Sequence, residues 1–381
     1  MPPTPPRAWV GHPLWLVGFR PFFLLACLAG ALLPPVWVLM WSGALAPPPG
    51  LAARQWHAHE LFFGFGFAVL AGFLLTASKN WVKTRGHFGR ALQGLVALWL
   101  LERWTVWQYG AGPHAWLFGV AVLVAVEWTL LRGRRHDSYR DNALFFVALS
   151  AFLGARWLLL REATFESGVA LTLALYRLVF VVMLERTLPP FMQAAFQLEL
   201  RRVPALDVAI KLLALALVSS PWWPPWARAT VELLLAAALT GRFLLWHAVR
   251  ALRRVEVAVM YLGGFALVGQ LVLDALGGAW VGSLPLHLFT VGTMGLIIPA
   301  MLTRISLGHT GRPVRFEVPE RLALGLMGLA VTARTVLLQC WPAYTIAWLT
   351  VAAVGWSACF LIIGARLAPR VWKERVDGRE H

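Results

Sequence analysis

Acidic residues and lysine are scarce in this chain of 381 residues. Asp and Glu number 18 against 34 Lys and Arg, and the only lysines are Lys79, Lys83, Lys211 and Lys373. Charged residues of both signs make up 14% of the chain, where a soluble domain carries about 25%. Cysteine is scarce too: Cys27, Cys340 and Cys359 each sit inside an apolar stretch. With no C-x-x-C pair a zinc ribbon is unsupported, and C-x-x-C-H covalent haem attachment is excluded, so any haem would be held by ligation and packing alone. The cysteines read as small buried hydrophobes. No basic-then-apolar leader opens the chain; MPPTPPRAWVGHP is proline-rich, and the first spanning helix is expected to stay as an anchor. Nor is there a long basic arm with interleaved aromatics, so the net charge of +16 is not the mark of a nucleic-acid partner.

What the chain has instead is apolar length. It is 59% hydrophobic with a mean hydropathy of +0.67. Runs long enough to cross a bilayer, about 20 residues each, fall near 20–40, 57–78, 91–109, 113–131, 142–160, 167–185, 205–221, 229–249, 256–276, 284–305, 320–340 and 343–367. The expectation is an all-α polytopic membrane protein of about 12 transmembrane helices, one integral membrane domain over 1–381. The run at 205–221 is the weakest, being short and ending in Pro221. Basic residues gather after alternate helices: Lys79, Lys83, Arg85 and Arg90; Arg132, Arg134, Arg135 and Arg140; Arg201, Arg202 and Lys211; Arg250, Arg253 and Arg254; Arg312, Arg315 and Arg321; and the tail from Arg366. Because such clusters concentrate on the cytoplasmic side, both termini, tails 1–17 and 368–381, are expected there.

The stretch Trp56–Trp81, WHAHELFFGFGFAVLAGFLLTASKNW, organises the rest. Two histidines and a glutamate open an uncharged apolar run, and ionisable groups at such a place are disfavoured unless something uses them. On a helix His57 and His59 point about 200° apart. His57 then shares a stripe with Glu60 and Gly64, His59 with Phe63 and Gly66. The glycines read as helix-contact positions first and as cofactor clearance second. The inferred orientation puts His287, at the start of the tenth helix, at similar depth to His59 on the outer half. His309 lies 22 residues further on, about 33 Å along a helix, so His287 and His309 should not share a site. One interfacial histidine is plainly read as an anchor; two at one mouth and a third at matching depth fit ligation of haem or a metal, with haem or copper favoured over zinc. Helices 2 and 10 also resemble each other: Gly64 follows His59 by five positions, as Gly292 follows His287. The sixth lies four helices on from the second and four before the tenth, a spacing that points to a three-times-four pseudo-repeat.

Pro299 should interrupt the hydrogen-bond ladder of the tenth helix and kink it. Beyond it Arg304, His309 and Arg312, with Gly308 and Gly311, form a cationic turn suited to haem propionates, lipid phosphates or a helix C-terminus; topological anchoring is the plainer alternative. Arg20, before Pro21, falls on the same side. Glu102, Arg103, Arg156, Arg177, Glu185, Arg186, Asp274 and Arg334 lie within spans, and most should be paired. Glu185 and Arg186 beside Pro189 and Pro190 suggest a broken helix end. His12, His87, His114, His136, His247 and His381 acquire no role.

Three blocks together resemble the NnrS family: GFRPFFLLA from Gly18, WHAHE from Trp56 with Asn80 and Trp81, and MLTRISLGHTGRP from Met301. The resemblance spans nearly the whole chain. It implies a bacterial inner-membrane protein containing non-covalent haem, b-type by the absence of attachment motifs, and copper, tied to nitric oxide metabolism, nitrosative stress and denitrification. A departure is ERTLPPFMQ from Glu185, where the family is associated with a G-G-R-x-x-P-x-F-T-R-N stretch, which puts a second metal there in doubt. Haem–copper oxidases and nitric oxide reductases are similar in placing haem ligands on helices 2 and 10 of a twelve-helix bundle, but helices 6 and 7 here lack their other histidines. The resulting expectation is His59 and His287 as axial ligands, His57 as a copper or alternative ligand with Glu60 beside it, and Arg20, Arg304, His309 and Arg312 shaping the cytoplasmic end. Nitric oxide or an iron–nitrosyl species, and a redox partner or quinol, are the implied partners besides the bilayer. Whether the protein is an enzyme stays open. A twelve-helix secondary transporter is the alternative.

Overall fold

The computed structural model describes residues 11–136, 142 and 144–378. The first ten residues of the N-terminal tail, Arg140, Arg379 and His381 lie outside the described residues. No strand occurs among the described residues. Among the described residues twelve long helices follow the twelve apolar runs: α1 Phe19–Trp41, α2 Ala53–Trp81, α3 Arg90–Tyr109, α4 Pro113–Arg132, α5 Leu144–Leu159, α6 Glu162–Phe196, α7 Pro204–Trp222, α8 Pro225–Leu245, α9 Val255–Leu276, α10 Leu284–His309, α11 Val318–Cys340 and α12 Pro342–Val371. Nine of them (all but α3, α5 and α8) are long and apolar enough to cross a membrane, which makes the chain an all-α polytopic membrane protein. In lipid every backbone N–H and C=O needs an internal partner, and helices supply it. Large side chains such as Trp104, Trp128, Val147, Leu212 and Leu361 face outward, as a lipid-facing wall requires.

Local sequence sets the helix limits. Pro204, Pro225, Pro319 and Pro342 stand in first turns, where a missing N–H costs nothing. Gly110 and Gly277 end α3 and α9 with φ of 68° and 63°, a region that side-chain-bearing residues avoid. The uncertain run at 205–221 is helical, tightening to 3₁₀ geometry over Leu217–Trp222 around Pro221.

The broken end expected at Pro189–Pro190 is not there: the helix continues to Phe196. Pro189 cannot donate to the carbonyl of Glu185, four residues back, and Arg202 Nη2 takes that carbonyl instead at 3.2 Å. The Glu185 carboxylate is met by Arg202, Lys211 and Arg242, and Arg242 also pairs with Asp207 at 2.6 Å. The expectation that charges within spans are paired holds also for Glu102, Arg103, Arg156, Arg177 and Asp274.

The chain divides into two compact units, one of residues 1–168, 302–314 and 360–381, the other of 169–301 and 315–359. In the first, α1 and α2 run close together on small residues. A Cβ on Gly72 would stand 2.9 Å from the Phe23 ring, and one on Gly30 would stand 2.8 Å from Phe360 and 3.1 Å from Phe65. The spanning window of α2 is 78% buried, against 28% for α7, so α2 is an interior helix and its polar mouth opens inside the protein. In the second unit Gly263 packs on Ile297, Gly264 on Phe243, and Gly295 on Trp356 and Met327.

Gly168 tests this packing. A Cβ there would lie against backbone, 2.5 Å from Cα of Leu159 and 2.7 Å from C of Leu158, whereas nothing lies within 4 Å of one on Gly154. Backbone cannot yield as a flexible side chain does. Gly168→Ala should therefore cost about 1–3 kcal/mol, read as a lower unfolding temperature in detergent, while Gly154→Ala leaves that temperature unchanged.

Candidate functional site

The first turn of α2 is fixed by Gln55, whose Oε1 accepts the N–H of Ala52 at 2.9 Å. Regular helix carries the chain to His59. From Glu60 to Gly66 the helix is π-type, with an extra residue in the turn, a feature often found at functional sites. Widening frees backbone groups, and Trp99 of α3 donates its indole N–H to the Gly64 carbonyl at 3.0 Å.

This change of pitch redistributes the polar mouth. Simple helical phase placed Glu60 with His57. Instead the Glu60 carboxylate lies 2.9 Å from Nδ1 of His59, because the wider turn begins at Glu60 itself. His57 stacks on Trp37 of α1 at 4.1 Å between ring centroids. The two histidines thus have different neighbours. Asn80 is exposed at the far end of α2, and Trp81 stacks on Phe145 at 5.1 Å.

His59 is fully buried, and its Nε2 has no hydrogen-bond partner. With Nδ1 donating to a carboxylate, the ring is held in the tautomer that leaves a lone pair on Nε2. Metal-ligating histidines have this arrangement, in which the carboxylate orients the ring and raises its basicity. Behind Glu60 runs a relay of alternating charge. Arg103 Nε is 3.4 Å from Glu60 Oε2, Arg103 Nη2 bonds Glu102, and Arg156 Nη1 reaches Glu102 at 3.1 Å. Glu102 also accepts the Phe118 N–H at 2.8 Å, and Arg156 donates to the Ala115 carbonyl. The Arg156 guanidinium lies 4.5 Å from the centre of the Phe63 ring. Gly64 makes room for the pair: a Cβ there would stand 2.5 Å from Arg103 Nη1 and 3.0 Å from Glu60 Oε2. Its absence of side chain serves the charges rather than a helix contact.

The second unit repeats part of this plan. His287 is followed by a π segment, Leu288–Met294, with Gly292 at the fifth position, so the likeness of α2 and α10 extends from sequence to backbone. Nδ1 of His287 lies 3.1 Å from the Ser283 carbonyl. Its Nε2, however, faces Arg334 Nη2 at 3.1 Å, and Arg334 also donates to the Gly282 carbonyl at 2.9 Å. Arg103 and Arg334 each stand six residues before the end of their helices, α3 and α11. His59 and His287 belong to different units, and of the two it is His59 that presents an unengaged nitrogen.

The remaining sequence candidates collect at the other end of α2 in the first unit. The N–H of Phe19 donates to Thr76 Oγ1 at 2.9 Å, which puts Arg20 about 25 Å from His59 along α2. Arg20 is fully buried; its Nη1 donates to the carbonyls of Val371 and Lys373 at 2.8 and 2.9 Å, capping the end of α12. The His309 ring lies 5.4 Å from that of Phe19. Arg375 donates to the His309 carbonyl at 3.1 Å and pairs with Asp377 at 2.6 Å; that pair raises the Arg375 pKa above its ordinary value. Arg304 is buried. The tail over 373–377 therefore packs on the turn at 309–311.

Sequence reasoning flagged Arg103, Arg156 and Arg334 as charges within spans but not as partners of the histidines. Depth held the signal: counted from the basic ends of α3 and α11, both arginines reach the level of the histidine mouths. Trp99 and the partners Glu232, Asp207 and Arg242 were missed altogether, since nothing in sequence separates them from other residues of helix faces. Among the described residues no group of three or more His, Cys, Asp or Glu side chains is arranged to hold a metal ion. A family model described as NnrS protein matches residues 13–375. No curated protein and no solved structure matches the chain.

Proposed function

The chain belongs to the NnrS family, and from that premise we propose that it is a haem-binding, multi-pass inner-membrane protein of nitric oxide metabolism or the nitrosative-stress response, with both termini cytoplasmic. One observation carries the reading: the buried, unpartnered Nε2 of His59, oriented through Nδ1 by Glu60. The donor set fits haem better than a bare ion. Haem brings four nitrogens of its own and asks the protein for one or two axial ligands. Copper held by side chains alone needs several protein ligands, and no such group exists among the described residues. The proposal therefore rests on haem, which His59 would hold through Nε2; His287, at the corresponding place in the second unit, is engaged by Arg334. His57, against Trp37, is left as an alternative ligand. Bound haem would supply an iron at which nitric oxide can bind. The chain's own part is to exclude water, to hold the His59 ring through Glu60 and to fix Glu60 through Arg103.

Expression with ample haem, purification in detergent and a visible spectrum test the reading. A Soret band close to one haem per chain, shifting on addition of nitric oxide to the reduced protein, is the expected result; a colourless protein under those conditions contradicts it. A secondary transporter is favoured by one set of observations: two π-interrupted helices in related positions and a partly buried ion network, Arg177–Glu232–Arg228–Asp274, within the second unit. Substrate uptake into vesicles by protein without a chromophore would establish that reading instead.

A further inference from the structure

We propose that the basic end of the first unit, around Arg20 and Arg312, binds a phosphate group. Two of the three sequence blocks singled out above, at Gly18–Ala26 and Met301–Pro313, meet here through the Phe19–His309 contact, and the haem reading does not use them. The site lies about 25 Å along α2 from His59, beyond the reach of the propionates of a haem on that histidine.

Arg20 stands in the first turn of α1. A cation in the first turn of a helix meets the positive end of the helix dipole, which is the unfavourable place for it. Capping α12 explains its Nη1 and nothing more. Nε and Nη2 have no partner although the residue is fully buried. Buried donors of a charged group are seldom left unmade. Arg312 follows by three residues His309, whose ring contacts Phe19, and its own Nη1 is buried without a partner. Each guanidinium thus keeps unused donors of the planar kind that phosphate oxygens match. The neighbouring charges leave the site cationic. Arg375 meets the same turn at the His309 carbonyl, and Asp377 is taken up by Arg375 through two bonds. Glu374 is the other carboxylate of the stretch 373–377, and none of its oxygens lies within bonding distance of Nε or Nη2 of Arg20.

The phosphate can come from a phospholipid headgroup or from solution, and the test separates the two. Full-length protein in detergent is compared with Arg312→Gln and with Arg253→Gln, an exposed arginine of the second unit. Thermal unfolding is followed in inorganic phosphate and in chloride at equal ionic strength, and native mass spectrometry counts retained phospholipid. If the source is solution, phosphate raises the unfolding temperature by roughly 2–4 °C in wild type and Arg253→Gln, and Arg312→Gln loses the rise. If the source is lipid, one phospholipid stays with wild type and Arg253→Gln and is lost from Arg312→Gln. Arg20→Gln should behave likewise, but its lost α12 cap can prevent folding, so Arg312→Gln decides. No phosphate response and no retained lipid overturns the proposal, as does a response equal in wild type and Arg312→Gln. Neither readout involves haem, so failure here leaves the His59 centre standing, and a colourless protein leaves this site standing.

Discussion

His59→Ala is expected to lower the haem bound per chain by at least tenfold, the largest functional effect of any single substitution. Losing even an outer-shell partner of a metal ligand costs about 10–100-fold in affinity, and removal of the ligand should cost no less. His57, the alternative ligand on α2, could take over only by leaving its stack on Trp37. The measurement is the haem-to-protein ratio by pyridine haemochrome assay on purified protein. The His59→Ala fold should survive, since the side chain makes one bond, to Glu60, and the circular dichroism of the variant checks this. His287→Ala is expected to have the smaller effect, as its ring is already engaged by Arg334 and the Ser283 carbonyl.

Arg103→Ala should produce the largest loss of stability, about 3–5 kcal/mol, the cost of stranding a buried charge by removing its partner. Glu60 is 3% exposed and would keep only the neutral His59 ring, while Glu102 retains Arg156. Arg103→Lys restores the charge but not the planar fork that serves two carboxylates, so it should fall between. A structural role alone would lower only the unfolding temperature. As a positioning residue acting through Glu60 on His59, Arg103 should also move the Soret maximum and the haem reduction potential. Arg228→Ala is the control. It breaks a comparable network with Glu232 and Asp274 and should destabilise without moving either.

The helices were legible because each apolar run had to be long enough to cross a bilayer, and that length is written in the residues. The single misjudged end, at Pro189–Pro190, failed for a definite reason. The donor that replaces the missing N–H is Arg202, beyond the end of α6, and local sequence gives no sign that a side chain there will return to the Glu185 carbonyl. The candidate site was half legible. His59 and Glu60 stood out as polar groups at an apolar mouth, but an α-helical phase assigned Glu60 to the wrong histidine, because a π segment leaves no simple mark in composition. The likeness of His59–Gly64 to His287–Gly292 was its one trace. Arg334 beside His287 was hidden for a different reason: 47 residues separate them, and only the fold joins the two.

The most direct measurement is imidazole rescue of His59→Gly. The substitution leaves a ring-sized space beside Glu60, and free imidazole can fill it. The expected result is a purified variant with little haem that recovers a Soret band at the wild-type wavelength when haem and imidazole are added together, and not when haem is added alone. Retention of the wild-type haem content and spectrum by His59→Gly without imidazole would contradict His59 as the ligand.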